Sequence, residues 1–145
     1  MEEMHINWAA FAVAVVAQMV IGFLWFHPSV MGKMWAKANN IELKDMNPEN
    51  AGMSYGITIL LTIVFTFWLA GNVTGPGQQV AADGHSFVTF QHGLAHALAL
   101  SIMVMLPVFS GPAIFEKRGW KWAVVHVGYW FARMAVAAGI LSAWR

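Results

Sequence analysis

The chain has no cysteine and few charged side chains. Only 10% of its 145 residues are charged, whereas 59% are apolar. Soluble domains are about 25% charged and roughly 45–50% apolar, so a water-soluble fold would lack the charge to cover its surface. The missing cysteine excludes disulfides, thiolate zinc sites and cysteine nucleophiles. A net charge of +1, without a basic cluster of the nucleic-acid-binding kind, argues against DNA or RNA as a partner.

Long apolar stretches are what the chain has instead. Four of them are long enough to cross a bilayer as a helix, for which roughly 17–25 residues are needed: 6–26, 53–70, 87–109 and 122–144. We therefore predict an all-α integral membrane protein, a four-helix bundle in which residues 1–145 form a single membrane domain. We expect the first stretch to be retained, because Glu2 and Glu3 precede it and it is too long for a signal peptide.

The basic side chains predict how the bundle is oriented. They lie mainly in the first and third connections: Lys33, Lys37, Lys44, Lys117, Arg118 and Lys121. Because lysine and arginine accumulate in cytoplasmic loops, we place loops 27–52 and 110–121 in the cytoplasm and both termini outside. The expected location is the cell (inner) membrane, with the lipid bilayer as the first partner.

A short amphipathic helix is predicted in the first connection, at about residues 29–39. Pro28 ends the first span, because the residue before a proline is pushed out of the helical region. Apolar residues, including Trp35, then share one face, while Lys33 and Lys37 lie opposite. This helix either lies in the membrane interface or packs across the end of the bundle. After it, Asn47-Pro48-Glu49 has the pattern of a helix start and predicts that the second helix begins there.

Several segments resemble a family of prokaryotic membrane proteins catalogued as domain of unknown function 1761. The segments are INW at 6–8, GFLWFHPSVMGKMW at 22–35, FEKR at 115–118 and HVGYWFARMAVAAGILSAW at 126–144. The resemblance covers both ends of the chain, with the middle matched by hydropathy. It implies four membrane spans and no particular reaction. It also draws attention to Lys33 and Glu116, which we expect to be able to pair at the cytoplasmic end.

Arg133 is an arginine inside the fourth apolar stretch. It lies eleven residues from Trp122 and eleven from Trp144, which is roughly 16 Å along a helix in either direction. An arginine at that depth costs about 2.5–3.5 kcal/mol on insertion scales. Helical side chains lean toward their own N-terminus, so we expect the guanidinium to stack on Tyr129 and Trp130. No span contains Asp or Glu, and Glu116 is the leading charged partner along this path.

Other polar side chains fall at similar depth in the other spans. If these faces converge, the bundle contains a polar layer of Gln18, His96 and Arg133, with His92 above it and Tyr129 and His126 below it. His92 and His96 have the i, i+4 spacing of a metal-binding pair, but no carboxylate accompanies them within the spans. Hydrogen bonding between helices is the competing account. We therefore predict no metal and no cofactor.

Two further patterns concern helix packing. Hydroxyl side chains recur every four residues in the second apolar stretch, at Ser54, Thr58, Thr62 and Thr66. This spacing is typical of side chains that hydrogen-bond to the preceding helical turn or that hold helices together. The pairs Gly93/Ala97 and Ala135/Gly139 have small-xxx-small spacing and predict close helix crossings.

Two classes of function remain open. The first is an interaction protein, a subunit that packs against copies of itself or within a larger membrane complex. The second is a small oligomeric transporter, channel or ligand-binding protein in which Arg133 meets an anionic group. Enzyme activity is not expected, because the sequence shows neither a nucleophile–base pair nor a carboxylate dyad that could act as catalytic residues. The candidate site consists of the polar layer, Glu116, and Lys33 and Trp35 at the cytoplasmic interface.

Overall fold

Among the residues that the structure describes, four helices are long and apolar enough to cross a membrane. A computed structural model describes residues 6–75 and 77–144. The four long helices are Trp8–Trp25 (α1), Ala51–Thr74 (α3), Phe90–Phe115 (α4 and α5) and Trp120–Ala143 (α6). This confirms the predicted all-α class. The predicted location of the termini concerns residues 1–5 and 145, which lie outside the described residues.

The first helix is capped by Asn7, whose side chain accepts hydrogen bonds from the backbone of Ala9 and Ala10. After it, His27 caps a single π-helical turn, Pro28–Gly32, and the short helix Lys33–Asn39 (α2) follows. Gly32 is required in this turn, because a Cβ there would run into the carbonyl oxygen of Phe26.

Helix α2 packs across the end of the bundle against α6. Its Ala36 is buried, and the Trp122 indole donates to the Asn39 side chain at 3.2 Å. Lys33 and Lys37 stay exposed. The predicted packing of this segment across the end of the bundle is therefore observed, and its placement in the membrane interface stays a prediction.

The second long helix begins later than predicted. Asn47-Pro48-Glu49 is not helical, and Asn50 is the N-cap, its side chain accepting from the Met53 backbone at 3.3 Å. The helix then runs to Thr74 rather than ending near residue 70. An asparagine does cap this helix, as the Asn-Pro-Glu pattern predicted, but it is Asn50 and not Asn47. Residues 47–49 belong to the connection that precedes the helix.

The third span is interrupted and longer than the predicted 87–109. Thr89 caps α4 (Phe90–Leu100), a π-helical turn follows at Ser101–Met105, and α5 is Leu106–Phe115. The π turn lies just before Pro107, where the backbone loses a donor. The helix also continues through Pro112, so the predicted loop 110–121 shrinks to residues 116–119.

Helix α6 is the central helix, and every other long helix packs against it. Its crossing with α4 is very close, because a Cβ at Gly93 would overlap the backbone of Ala138 and Gly139. The predicted small-residue crossing is confirmed there. The buried core combines small and aliphatic side chains, with Leu69, Val73, Met134 and Leu141 at its centre.

Candidate functional site

Arg133 points into the space where α6 meets α1 and α3. The residue is only 6% exposed. Its Nε and Nη2 both donate to Gln18 Oε1, at 3.1 and 2.9 Å, and Nη2 also donates to Thr62 Oγ1 at 3.2 Å. Its Nη1 donates to the Tyr129 hydroxyl at 3.2 Å, one turn earlier on α6. The hydrogen-bond acceptors around this cation are thus neutral oxygens, in the place that a carboxylate would occupy in an ion pair.

The hydroxyl stripe of α3 supplies acceptors for this arrangement. Thr62 Oγ1 donates to the Thr58 carbonyl at 2.8 Å, and Thr66 Oγ1 donates to the Thr62 carbonyl at 2.6 Å, as the predicted back-bonding requires. With their protons committed to their own helix, these hydroxyls accept from other helices. Thr62 accepts from Arg133, and Thr66 accepts from Gln18 Nε2 at 2.6 Å. Gln18, Thr62, Thr66, Tyr129 and Arg133 are called the Arg133 cluster below.

Aromatic rings complete the surroundings of the guanidinium. Its central carbon lies 4.7 Å from the centre of the Trp130 ring and 5.5 Å from those of Tyr129 and Phe65. The predicted stacking on Tyr129 and Trp130 is confirmed. Phe65 was not predicted, since nothing in an apolar helix marks which phenylalanine faces a cation on another helix. Each such contact contributes about 0.5–2 kcal/mol, so the rings help offset the cost of burying the charge.

Glu116 is not the partner of Arg133, and that prediction is wrong. Its carboxylate accepts from Arg118 Nε at 2.8 Å instead, and the ion pairs of the described residues do not include the expected one between Glu116 and Lys33. The reason is the length of the third span. Because α5 continues to Phe115, Glu116 lies at the end of the bundle, beside the short loop that carries Arg118.

The predicted polar layer divides into two groups. Gln18 and Arg133 are in direct contact, but His96 is not among the partners of Arg133. It packs against His92, with ring centres 4.6 Å apart, and His92 stacks on Phe87 at 4.9 Å. Within residues 6–75 and 77–144, no three side chains of the metal-ligating types come together. The two histidines, which meet edge to face, therefore belong to a separate aromatic group at the start of α4.

The remaining candidate residues lie toward the end of the bundle that carries α2. His126 Nδ1 lies 2.8 Å from the Trp122 carbonyl, and its ring stacks on Phe109. Trp35 packs edge-on against Phe26 at 5.7 Å. Lys33 is exposed on α2. These residues make their own contacts and do not join the Arg133 cluster.

A cavity of about 470 Å³ lies beside the cluster, between α1, α3 and the connection that follows α2. Its walls are mostly apolar and aromatic, with Phe23, Phe26 and Trp35 on one side and Tyr55 on the other. Tyr129 forms part of the wall and is the member of the cluster that reaches it. The hydroxyl that accepts from Arg133 therefore belongs to a side chain that a small molecule in the cavity would touch.

Comparison with known families matched residues 9–142 to the family described as "Protein of unknown function (DUF1761)". The chain belongs to the DUF1761 family. The predicted resemblance is confirmed over nearly the whole chain. No curated protein and no solved structure matched it.

The structure shows what the DUF1761-like segments do in this chain. Asn7 of the INW segment caps α1. The GFLWFHPSVMGKMW segment forms the end of α1, the π turn and the start of α2. Within it, the Trp25 indole donates to the Val125 carbonyl at 3.1 Å and packs where a Cβ at Gly128 would stand. These segments therefore join α1 and α2 to α6, the helix that carries Arg133.

Proposed function

We propose that this DUF1761 protein is a helix-packing interaction protein of the cell membrane, which associates with a second copy of itself. Its four apolar helices are compatible with a multi-pass membrane protein. Association uses an exposed face of α3, and the Arg133 cluster has a structural role inside the bundle.

The exposed half of α3 is the observation that carries the proposal. Gly52, Gly56, Ile59 and Ile63 are spaced i, i+4, i+7 and i+11, so they share one face of the helix. All four are exposed, and a Cβ added at either glycine would meet no described atom within 4 Å. Small residues at i, i+4 on an apolar helix allow another helix to approach closely, which favours a protein neighbour at this face.

The Arg133 cluster supports a structural role for the buried cation. Four hydrogen bonds to Gln18, Thr62 and Tyr129 engage the guanidinium, and the three to Gln18 and Thr62 join α6 to α1 and α3. A cation engaged in this way has little capacity left for a passing ion. Fixing the register of three helices is the function that its contacts support best.

The loops support a cytoplasmic location for the α2 end of the bundle. Lys33, Lys37 and Lys44 lie in the first connection, and the third connection and the start of α6 carry three more basic residues. We therefore propose that this end faces the cytoplasm, with the start of α1 and the end of α6 on the outer side.

Self-association is tested by replacing the two exposed glycines. The Gly52→Leu/Gly56→Leu variant is expected to weaken dimerisation at least tenfold in mild detergent, measured by light scattering over a range of protein concentrations. Gly111→Leu is the matched control, because Gly111 is a helical glycine on α5 whose added Cβ would meet no described atom within 4 Å. A wild-type protein that stays monomeric at all concentrations, or equal weakening by Gly111→Leu, contradicts the proposal.

A ligand-binding or transport function is the second candidate, and the cavity beside Tyr129 favours it. Within the described part of the chain, no carboxylate is bonded to the charged Arg133, and Tyr129 connects that charge to the cavity wall. An anionic molecule in the cavity would be attracted by it. The test is ion flux in liposomes. Under this alternative, the wild type conducts ions and Arg133→Leu abolishes the flux. Under the interaction proposal, the wild type and Arg133→Leu both show only background flux.

A further inference from the structure

A second cavity, of about 510 Å³, lies at the α2 end of the bundle. Lys33 and Lys37 line it from α2, and Arg118 and Lys121 line it from the loop before α6 and from its first turn. Apolar side chains from the same two elements, Met34 and Trp120, complete the walls. We call this cavity the basic groove. Four cations from two separate elements thus converge on one space beside an apolar surface.

The positive charge of the basic groove is only partly balanced. The ion pairs of the described residues include one of its four cations, Arg118, which pairs with Glu116 at 2.8 Å. Lys121 also lies 5.9 Å from the centre of the Trp120 ring. Four cations and one carboxylate leave a net charge of about +3 around the groove at neutral pH.

The start of α6 adds backbone donors to the same space. Its N-cap is Gly119, which has no side chain to accept from the first turn, and that turn contains no acidic residue. Gly119 and Trp120 both line the groove. The first N–H groups of a helix have no partner within the helix, and the N-terminus of a helix as long as α6 favours a negative charge. The lysines and the helix start therefore favour the same kind of ligand.

We propose that the basic groove binds the phosphate of an anionic phospholipid. The lysines of α2, Arg118 and the start of α6 surround the phosphate, and Met34 and Trp120 contact the upper part of an acyl chain. The groove lies at the end of the apolar helices, which is the depth of the lipid head groups if these helices span a bilayer. Basic pockets at such a position bind lipids of this charge.

The experiment measures lipid binding to the purified full chain by native mass spectrometry in a neutral detergent. Dioleoylphosphatidylglycerol is compared with dioleoylphosphatidylcholine, and inorganic phosphate is added in a parallel thermal melt. We expect at least tenfold tighter binding of the anionic lipid. The Lys33→Gln/Lys37→Gln variant should lose roughly 30-fold in that affinity, from about a fivefold contribution per lysine near a membrane surface.

The matched control removes two lysines outside the groove. Lys44→Gln/Lys117→Gln should keep the anionic-lipid affinity within about threefold, although it makes the same change in net charge. All these lysines are exposed, so the variants are expected to fold, and Lys121→Gln repeats the test from the other wall.

Three results would overturn the proposal. Equal binding of the two lipids would mean that the groove has no preference for an anionic head group. Equal loss in the two double variants would mean that the attraction is diffuse. A thermal shift with inorganic phosphate as large as that with the anionic lipid at the same concentration would mean that the groove recognises a free anion.

Discussion

Arg133 and Gln18 face each other across α6 and α1, and two N–H groups of the guanidinium donate to the single oxygen Gln18 Oε1. The amide nitrogen of the same glutamine donates onward to Thr66 on α3. Gln18 is therefore an acceptor for the cation and a donor to the third helix. Its amide dipole replaces the carboxylate that the spans do not provide.

The first prediction concerns the charge of Arg133. Arg133→Leu is expected to leave a folded protein with a melting temperature equal to or above that of the wild type, because replacing a buried charged group by an apolar one is often stabilising. Arg133→Lys keeps the charge but loses the planar fork that reaches Gln18, Thr62 and Tyr129, so it should lose about 1–3 kcal/mol of stability. Thermal melts in detergent rank the three proteins. A stable lysine variant and an unfolded leucine variant would show that the charge itself is needed.

The second prediction concerns the crossing of α4 and α6. Gly93→Ala should lower stability by about 1–3 kcal/mol, because the new methyl group meets backbone atoms of Ala138 and Gly139 that cannot move aside cheaply. Gly111→Ala is the control, since a Cβ there meets no described atom within 4 Å and Gly111 lies outside the proposed association face of α3. Chemical denaturation in mixed micelles measures both. Equal effects of the two substitutions would mean that the crossing is looser than its geometry implies.

The third prediction concerns sidedness. The chain has no cysteine, so a single introduced one reports its own position. Gln79→Cys, in the exposed connection between α3 and α4, should react with a membrane-impermeant maleimide added to intact cells. Lys37→Cys should react only after the cells are opened. Labelling in the opposite pattern would reverse the proposed orientation.

The fourth prediction concerns the aromatic contacts of the guanidinium. Trp130→Leu should lower stability by about 0.5–2 kcal/mol beyond the loss expected from its smaller apolar surface. Because that extra loss requires the cation, it should disappear in an Arg133→Leu background. Melting temperatures of the four combinations measure it. An extra loss that persists without the arginine would assign the whole effect of Trp130 to packing.

Much of the architecture was predictable because it depends on properties local to each segment. Hydropathy identified the four spans. Helical side chains lean toward the N-terminus of their helix, and this rule predicted the stacking of Arg133 on Tyr129 and Trp130. Depth alone suggested that Gln18 and Arg133 meet, and they are in contact.

The errors arose where the answer depended on how one helix is rotated against another or on where a helix ends. His96 lies at a depth similar to that of Gln18, but it packs on His92 rather than on Arg133. The position of a residue along its helix gives its depth, but it does not show toward which neighbouring helix the side chain is directed. Glu116 was misassigned because the third apolar stretch was predicted to end at residue 109, whereas the helix continues to Phe115. Phe65 was missed because a cation on another helix leaves no mark on the local sequence.

The most direct test of the account is a double-mutant cycle between Gln18 and Arg133. Free energies of unfolding are measured in the same micelle for the wild type, Gln18→Leu, Arg133→Leu and the double variant. Gln18→Leu alone leaves a buried cation without its main acceptor and should cost about 1–3 kcal/mol, whereas the same change in the Arg133→Leu background should cost clearly less. The account predicts a coupling energy above about 1 kcal/mol. Additive effects would contradict it, since the two side chains would then not hold α1 and α6 together.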